Sequence, residues 1–246
     1  MPARKSSKAT KAPASKTAAG KVAKAPTKKS AVGRATETTS KTKTDSPIYQ
    51  IKVTLKDFKP TIWRRVQVSS DTTLGMLHVI IQMVMGWGGH HLHQFILGKR
   101  PYLIFIGSPS IFDENMDEGM QDEDGVRIKQ ALPAAKSKMT YEYDFGDGWE
   151  HEILLEKILH AEQGVYYPRC LAGEMSCPPD DVGGVWGYAN FLDAIKNPKH
   201  PQHKDLLDWV GGKFDPEEFD LEYVNKNLKN LKRQLKFERE LRDLFS

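Results

Sequence analysis

Cysteine is nearly missing from this chain: Cys170 and Cys177 are the only two in 246 residues. Two thiols make no disulfide framework, and with no apolar leader at the N-terminus they point to a reducing, cytoplasmic setting. Long apolar runs are missing too. The longest, residues 74–85, is interrupted by His78 and Gln82 and is too short to cross a bilayer, so no membrane partner is expected. The first 46 residues lack acids and aromatics: Glu37 and Asp45 are their only carboxylates, and they contain no Phe, Tyr or Trp. Base stacking by this segment is therefore excluded. Its prolines, at 2, 13 and 26, also exclude the amphipathic helix of a transit peptide.

What the first 46 residues do contain is lysine. Lys5, Lys8, Lys11, Lys16, Lys21, Lys24, Lys28, Lys29, Lys41 and Lys43 recur among Ala, Thr, Ser and Pro. With Arg4 and Arg34 and against two acids, the segment carries a net +10, so a total of +4 leaves −6 on residues 47–246. Such a composition offers too little apolar surface to offset the entropy of ordering, and a disordered tail is expected. Its chemistry suits sequence-independent contact with nucleic acid or another polyanion, driven by counterion release; the alternative is a solubilising arm. A nucleoid-associated cytoplasmic protein is the corresponding expectation.

Residues 47–246 read as one domain. Alternation over 49–55 and 62–68 predicts two strands paired across a turn at 56–60. Leu74, Leu77, Ile81 and Val84 line one helical face, with Asp71 or Thr72 as the cap and Gly86 as the stop. Strands follow at 91–97 and 102–106. The acidic stretch 113–124 resembles a calcium loop at Asp113, Asn115 and Asp117. However, Glu118 stands where the turn glycine belongs and Asp124 where the bidentate Glu does, so a solvated loop is expected. Residues 139–145 and 149–159 flank Gly-Asp-Gly, a hairpin signal. A loop is expected over 166–187, then short helices at 188–195 and 203–209. Asp215 and Pro216 can open a last helix with an apolar stripe of Leu221, Val224, Leu228, Leu231 and Leu235, expected to pack on the sheet. The class is α+β: a mainly antiparallel sheet of hairpin-connected strands, packed by one early helix and several C-terminal helices.

Several stretches carry a more specific signal. They are IWRR (62–65), TLGMLHVIIQMVMGW (73–87), HLHQF (91–95), YEYDFGDGWEH (141–151), YPRCLAGEMSCPPDDVGG (167–184), GYANFL (187–192) and FDPEEFDLEYVN (214–225). In these the chain resembles the plasmid pRiA4b ORF-3-like family. The resemblance implies a single α+β domain found in bacteria, some archaea, plasmids and mobile elements, including resolvase-like passengers of insertion sequences. It brings no catalytic residues with it. Asp180 departs from the family's PPED-type motif, keeping the charge on a shorter arm.

The candidate chemistry rests on few residues. His91 and His93, two apart on a predicted strand, share a face and can chelate a metal through two imidazoles; the alternative is a pair of structural histidines. Cys170 and Cys177 lie outside the tight spacing of structural zinc sites and need His151, His93 or the Asp180–Asp181 pair to complete one. His151 falls on the inward face of its strand, where a satisfied structural role competes with an acid–base one. Asp144 is a possible partner for it. Arg64 and Arg65 alternate faces, so at most one is buried, and the other can bind phosphate or carboxylate. Trp186 is a candidate pocket wall. The leading expectation is a non-enzymatic interaction module with an unidentified protein or nucleic-acid partner. A metal-dependent hydrolase or nuclease built on a His/Asp/Cys cluster is the alternative, and a zinc-stabilised structural domain the third.

Overall fold

The computed structural model describes residues 46–108, 119–233, 235 and 236. The lysine-rich segment up to residue 45, with its expected disorder and polyanion contacts, and the 113–118 part of the acidic loop lie outside the described residues. All the described residues belong to one unit, Thr42–Ser246.

Strands β1 (Ile48–Leu55) and β2 (Trp63–Ser69) form the expected antiparallel pair, with Ile51 opposite Val66. Helix α1 (Leu74–Met85) follows. Thr73, not Asp71 or Thr72, caps it: its Oγ1 accepts the Met76 N–H at 3.1 Å, satisfying an amide that the first turn would leave without a partner. Gly86, in the left-handed region at φ 95°, ends it. Leu74, Leu77, Ile80, Ile81 and Val84 are all buried, so the predicted stripe is the face on the sheet.

Next come β3 (His93–Lys99), β4 (Tyr102–Gly107), the short β5 (Gln121–Asp122), one turn of helix α2 (Ile128–Ala131), and the hairpin of β6 (Lys138–Tyr143) and β7 (Trp149–Leu159). Among the described residues, eight strands form one sheet in the order β5-β4-β3-β6-β7-β1-β2-β8, antiparallel except for β4 with β5. Trp149, His151, Ile153 and Leu155 alternate inward and are fully buried beside Ile51 and Val53, a single core on one face.

Two stretches depart from the sequence expectation. The expected loop at 166–187 contains strand β8 (Arg169–Glu174), paired with β2 at the sheet edge. It also contains the start of helix α3 (Gly184–Lys196). After helix α4 (His203–Trp209) comes helix α5 (Leu221–Leu228), which packs on β8 and α1. Asp220 rather than Asp215 caps α5, its Oδ1 accepting the Tyr223 N–H at 2.8 Å. Of the apolar stripe, Val224, Leu228 and Leu231 are buried, whereas Leu221 at its start is exposed.

Candidate metal centre

Three loops meet at one end of the sheet. The first is the β6–β7 turn. Asp144 sits there at φ 55°, and its Oδ1 accepts the N–H groups of Gly146 and Asp147 at 3.0 and 3.3 Å. An aspartate tolerates this backbone because its short side chain bonds the amides just ahead of it. Its own N–H donates to Leu92 O at 2.9 Å, tying the turn to the second loop, between α1 and β3. The third loop, 175–183, docks on the first: Gly183 N–H donates to Asp147 Oδ2 at 3.1 Å. A side chain on Gly184 would put its Cβ 2.4 Å from Asp147 O, so only glycine permits that approach.

This docking brings His91, Asp144 and Asp181 together. His91 Nε2 lies 3.8 Å from Asp144 Oδ2 and 3.2 Å from Asp181 Oδ1. One ligand atom from each of the three falls within 4.8 Å of the others. Donors around one ion with bonds near 2.1 Å stand about 3.0–3.5 Å apart; the His91–Asp181 separation is in that range, and Asp144 has to draw in for all three to share a cation. The set is one imidazole nitrogen and two carboxylate oxygens, which fits borderline divalent ions such as Zn or Fe and the harder Mn. The Asp181 side chain is 71% exposed and His91 28%, so one side of the group is open to solvent. Beside it lies a recess of about 280 Å³ lined by Asp181, Asn190, Phe191, Leu206 and Trp209.

Residues 47–223 of the chain match the plasmid pRiA4b ORF-3-like protein family. The chain belongs to that family. It is 36% identical over 186 residues to the uncharacterized protein y4hQ of Sinorhizobium fredii (strain NBRC 101917 / NGR234), covering 75% of this chain and 92% of that protein. It is similar in fold to MM3350 from Methanosarcina mazei Go1, a crystallised protein of unknown function. The TM-score is 0.66 at 37% identity, over 73% of this chain and 98% of that one. Neither relative brings an assigned activity, so the geometry of this family member has to carry the argument.

The other sequence candidates scatter. His93 does not join His91. Strand β3 begins at His93, leaving His91 in the preceding loop, and His93 Nε2 pairs with Glu123 Oε2 at 2.7 Å. The His93 ring stacks on His78 at 3.4 Å with planes 5° apart, and His78 Nδ1 shares a hydrogen bond with the Tyr141 hydroxyl at 2.8 Å. Glu123 was expected in a solvated loop. It is 1% exposed, because β5 folds the end of that loop back against β4.

The thiols form no cluster with these groups among the described residues. Cys170 is buried, its N–H held by Asn225 Oδ1 at 2.9 Å, and burial pushes its thiol up to about 11. Burial also raises the Cys177 thiol. Both are free and neither is poised as a thiolate nucleophile. His151 is fully buried among Trp87, Tyr141 and Trp149. Its Nδ1 bonds Trp149 O at 3.1 Å, and desolvation lowers its pKa to about 4. It is a neutral core residue, and Asp144 partners His91 instead.

Arg65 is committed to Glu156, with two N–H···O bonds of 2.6 and 2.8 Å. Arg64 is the buried one of the pair. Trp186 stands 84% exposed on α3, so it does not plug the core. Asp180 turns away from its neighbour: its Oδ2 accepts the Gly88 N–H at 3.2 Å and its Oδ1 the Tyr143 hydroxyl at 3.4 Å. The sequence signals for the centre were the Asp-Gly turn and the Pro-Pro-Asp-Asp…Gly-Gly loop. The signal for the His78–His93–Glu123 group was weaker, a histidine on the apolar face of α1.

Proposed function

We propose that the protein is an interaction module that uses a divalent cation, held by His91, Asp144 and Asp181, to take an oxygen ligand from an anionic partner. The convergence of these three side chains from three loops carries this reading. A domain of net −6 repels a polyanion, whereas a dication would cancel the two carboxylates and offer open coordination positions. The lysine-rich segment would add non-specific contact with nucleic acid or another polyanion. The link to mobile elements that the family resemblance implies would suit such a partner.

The test is a nucleic-acid titration of the full chain and of a chain starting at Pro47, across salt, with Mn²⁺ or with a chelator. The expected result is one ion per chain, with nucleic-acid binding by the Pro47 form only when Mn²⁺ is present. The full chain should retain salt-sensitive binding in chelator. Absence of stoichiometric metal would sink the cation reading, and equal affinity of the two forms in chelator would sink the role given to the lysines.

The recess beside Asp181 supports a second reading, metal-dependent hydrolysis of a small ester, with the open position holding water. Mn²⁺-dependent cleavage of bis-(p-nitrophenyl) phosphate that is lost in His91→Ala would favour it over the first.

A further inference from the structure

A groove of about 810 Å³ runs between the C-terminal end of α1, residues 176 and 177, and α5. Its size is in the range of small-molecule sites. Arg64 lies on its floor, 3% exposed. Arg64 Nε donates to Val84 O at 2.9 Å, and Nη1 donates to Trp63 O and Glu174 O, each at 2.9 Å. A guanidinium has five N–H donors, so both on Nη2 are left over, and Nη2 makes no hydrogen bond to any described residue. No described carboxylate pairs with Arg64 either, and its planar group is covered by the Phe219 ring at 4.4 Å. The terminal turn of α1 offers only about half a negative charge, which does not balance a full buried cation.

We propose that this groove binds a monocarboxylate carried on an apolar or aromatic body, with Arg64 as its anchor. One free two-hydrogen nitrogen matches a single carboxylate. Glu218 and Asp220 at the groove edge outnumber Arg233, the one further cation of its lining, and so disfavour more highly charged anions. Val79 and Met83 supply an adaptable apolar wall, and Asn227 and Asn230 on the opposite side supply amide donors and acceptors. The site is independent of the cation centre.

The experiment follows methionine methyl resonances of the full chain during titration with N-acetyl-phenylalanine and, separately, its neutral amide. Saturable shifts at Met83 and Met85 are expected with the acid, and at least about tenfold weaker binding with the amide. Arg64→Lys keeps a charge but changes its reach, and should weaken acid binding by about tenfold. Should that variant not fold, Met83→Trp fills the groove while leaving Arg64 in place, and should abolish the shifts at Met85. The proposal is overturned by no saturable shift with the acid, by equal affinity for acid and amide, or by undiminished binding in a folded Met83→Trp chain.

Discussion

His91 and His93 are two residues apart and live in different worlds. His91 stands in a loop, partly open to solvent, facing two carboxylates from two other loops. His93 starts a strand, is stacked on another imidazole, and faces one carboxylate that water cannot reach. The contrast shows that i, i+2 spacing makes a chelating pair only when both residues belong to the strand. Where the strand starts at the second, the first is free to be recruited by loops distant in sequence. One histidine is available to a ligand, and the other is consumed by the fold.

That contrast can be broken by measurement, first through stability. Removing the His93 ring leaves Glu123 buried without its hydrogen-bond partner, so His93→Ala should cost about 1–3 kcal/mol in urea unfolding. His91→Ala, tested without metal, should cost no more than about 0.5 kcal/mol. Adding Glu123→Gln to His93→Ala should recover part of the loss. Equal costs at 91 and 93 would remove the distinction.

A third histidine extends the series to full burial. The folded chain holds His151 neutral until about pH 4, whereas the unfolded chain takes up a proton near the ordinary imidazole value of 6.5. The unfolded state therefore binds more protons between these two values. The stability linked to His151 is complete above about pH 6.5 and is lost as pH falls towards 4, by roughly 3 kcal/mol in all. His151→Leu should show a shallower loss over that window. An unchanged slope would mean that the ring titrates freely in the folded chain.

The third expectation turns to binding. Asp181→Asn should weaken Mn²⁺ or Zn²⁺ binding by about 10–100-fold in calorimetry, whereas His93→Ala should leave it within about threefold. A large loss at 93 would put the stacked pair in the cation site after all.

How much of this was legible in the sequence depends on the range over which each feature is determined. The β1–β2 and β6–β7 hairpins and α1 were legible because period and turn chemistry act over a few residues. Strand β8 was not. Only Cys170 in Arg169–Glu174 is buried, its pairing with β2 shifts register between Arg65 and Val66, and an edge strand with one inward side chain shows no alternation. His91, Asp144 and Asp181 were each visible as candidates, but not as a set, since the set depends on Gly183 meeting Asp147 across 36 residues. Glu123 was misread because an acidic run looks solvated, and only a partner 30 residues away, His93, reveals otherwise.

The smallest effect concerns two adjacent aspartates, and it asks whether the division seen between the histidines recurs there. Asp181 points at His91, while Asp180 holds the Gly88 amide and the Tyr143 hydroxyl over long contacts of 3.2 and 3.4 Å. Bonds of that length are weak. An asparagine at 180 keeps one oxygen acceptor, so Asp180→Asn should change stability by less than about 1 kcal/mol. Cation affinity should stay within about threefold, the limit set for His93→Ala, because the residue positions a loop without ligating. Asp180→Glu lengthens the arm and should tighten both contacts, raising the melting temperature by about 1–2 °C. If Asp180→Asn instead weakens cation binding as much as Asp181→Asn, both carboxylates belong to the centre. The loop would then present its acids as a pair, and the separation of ligand from scaffold would hold for the histidines alone.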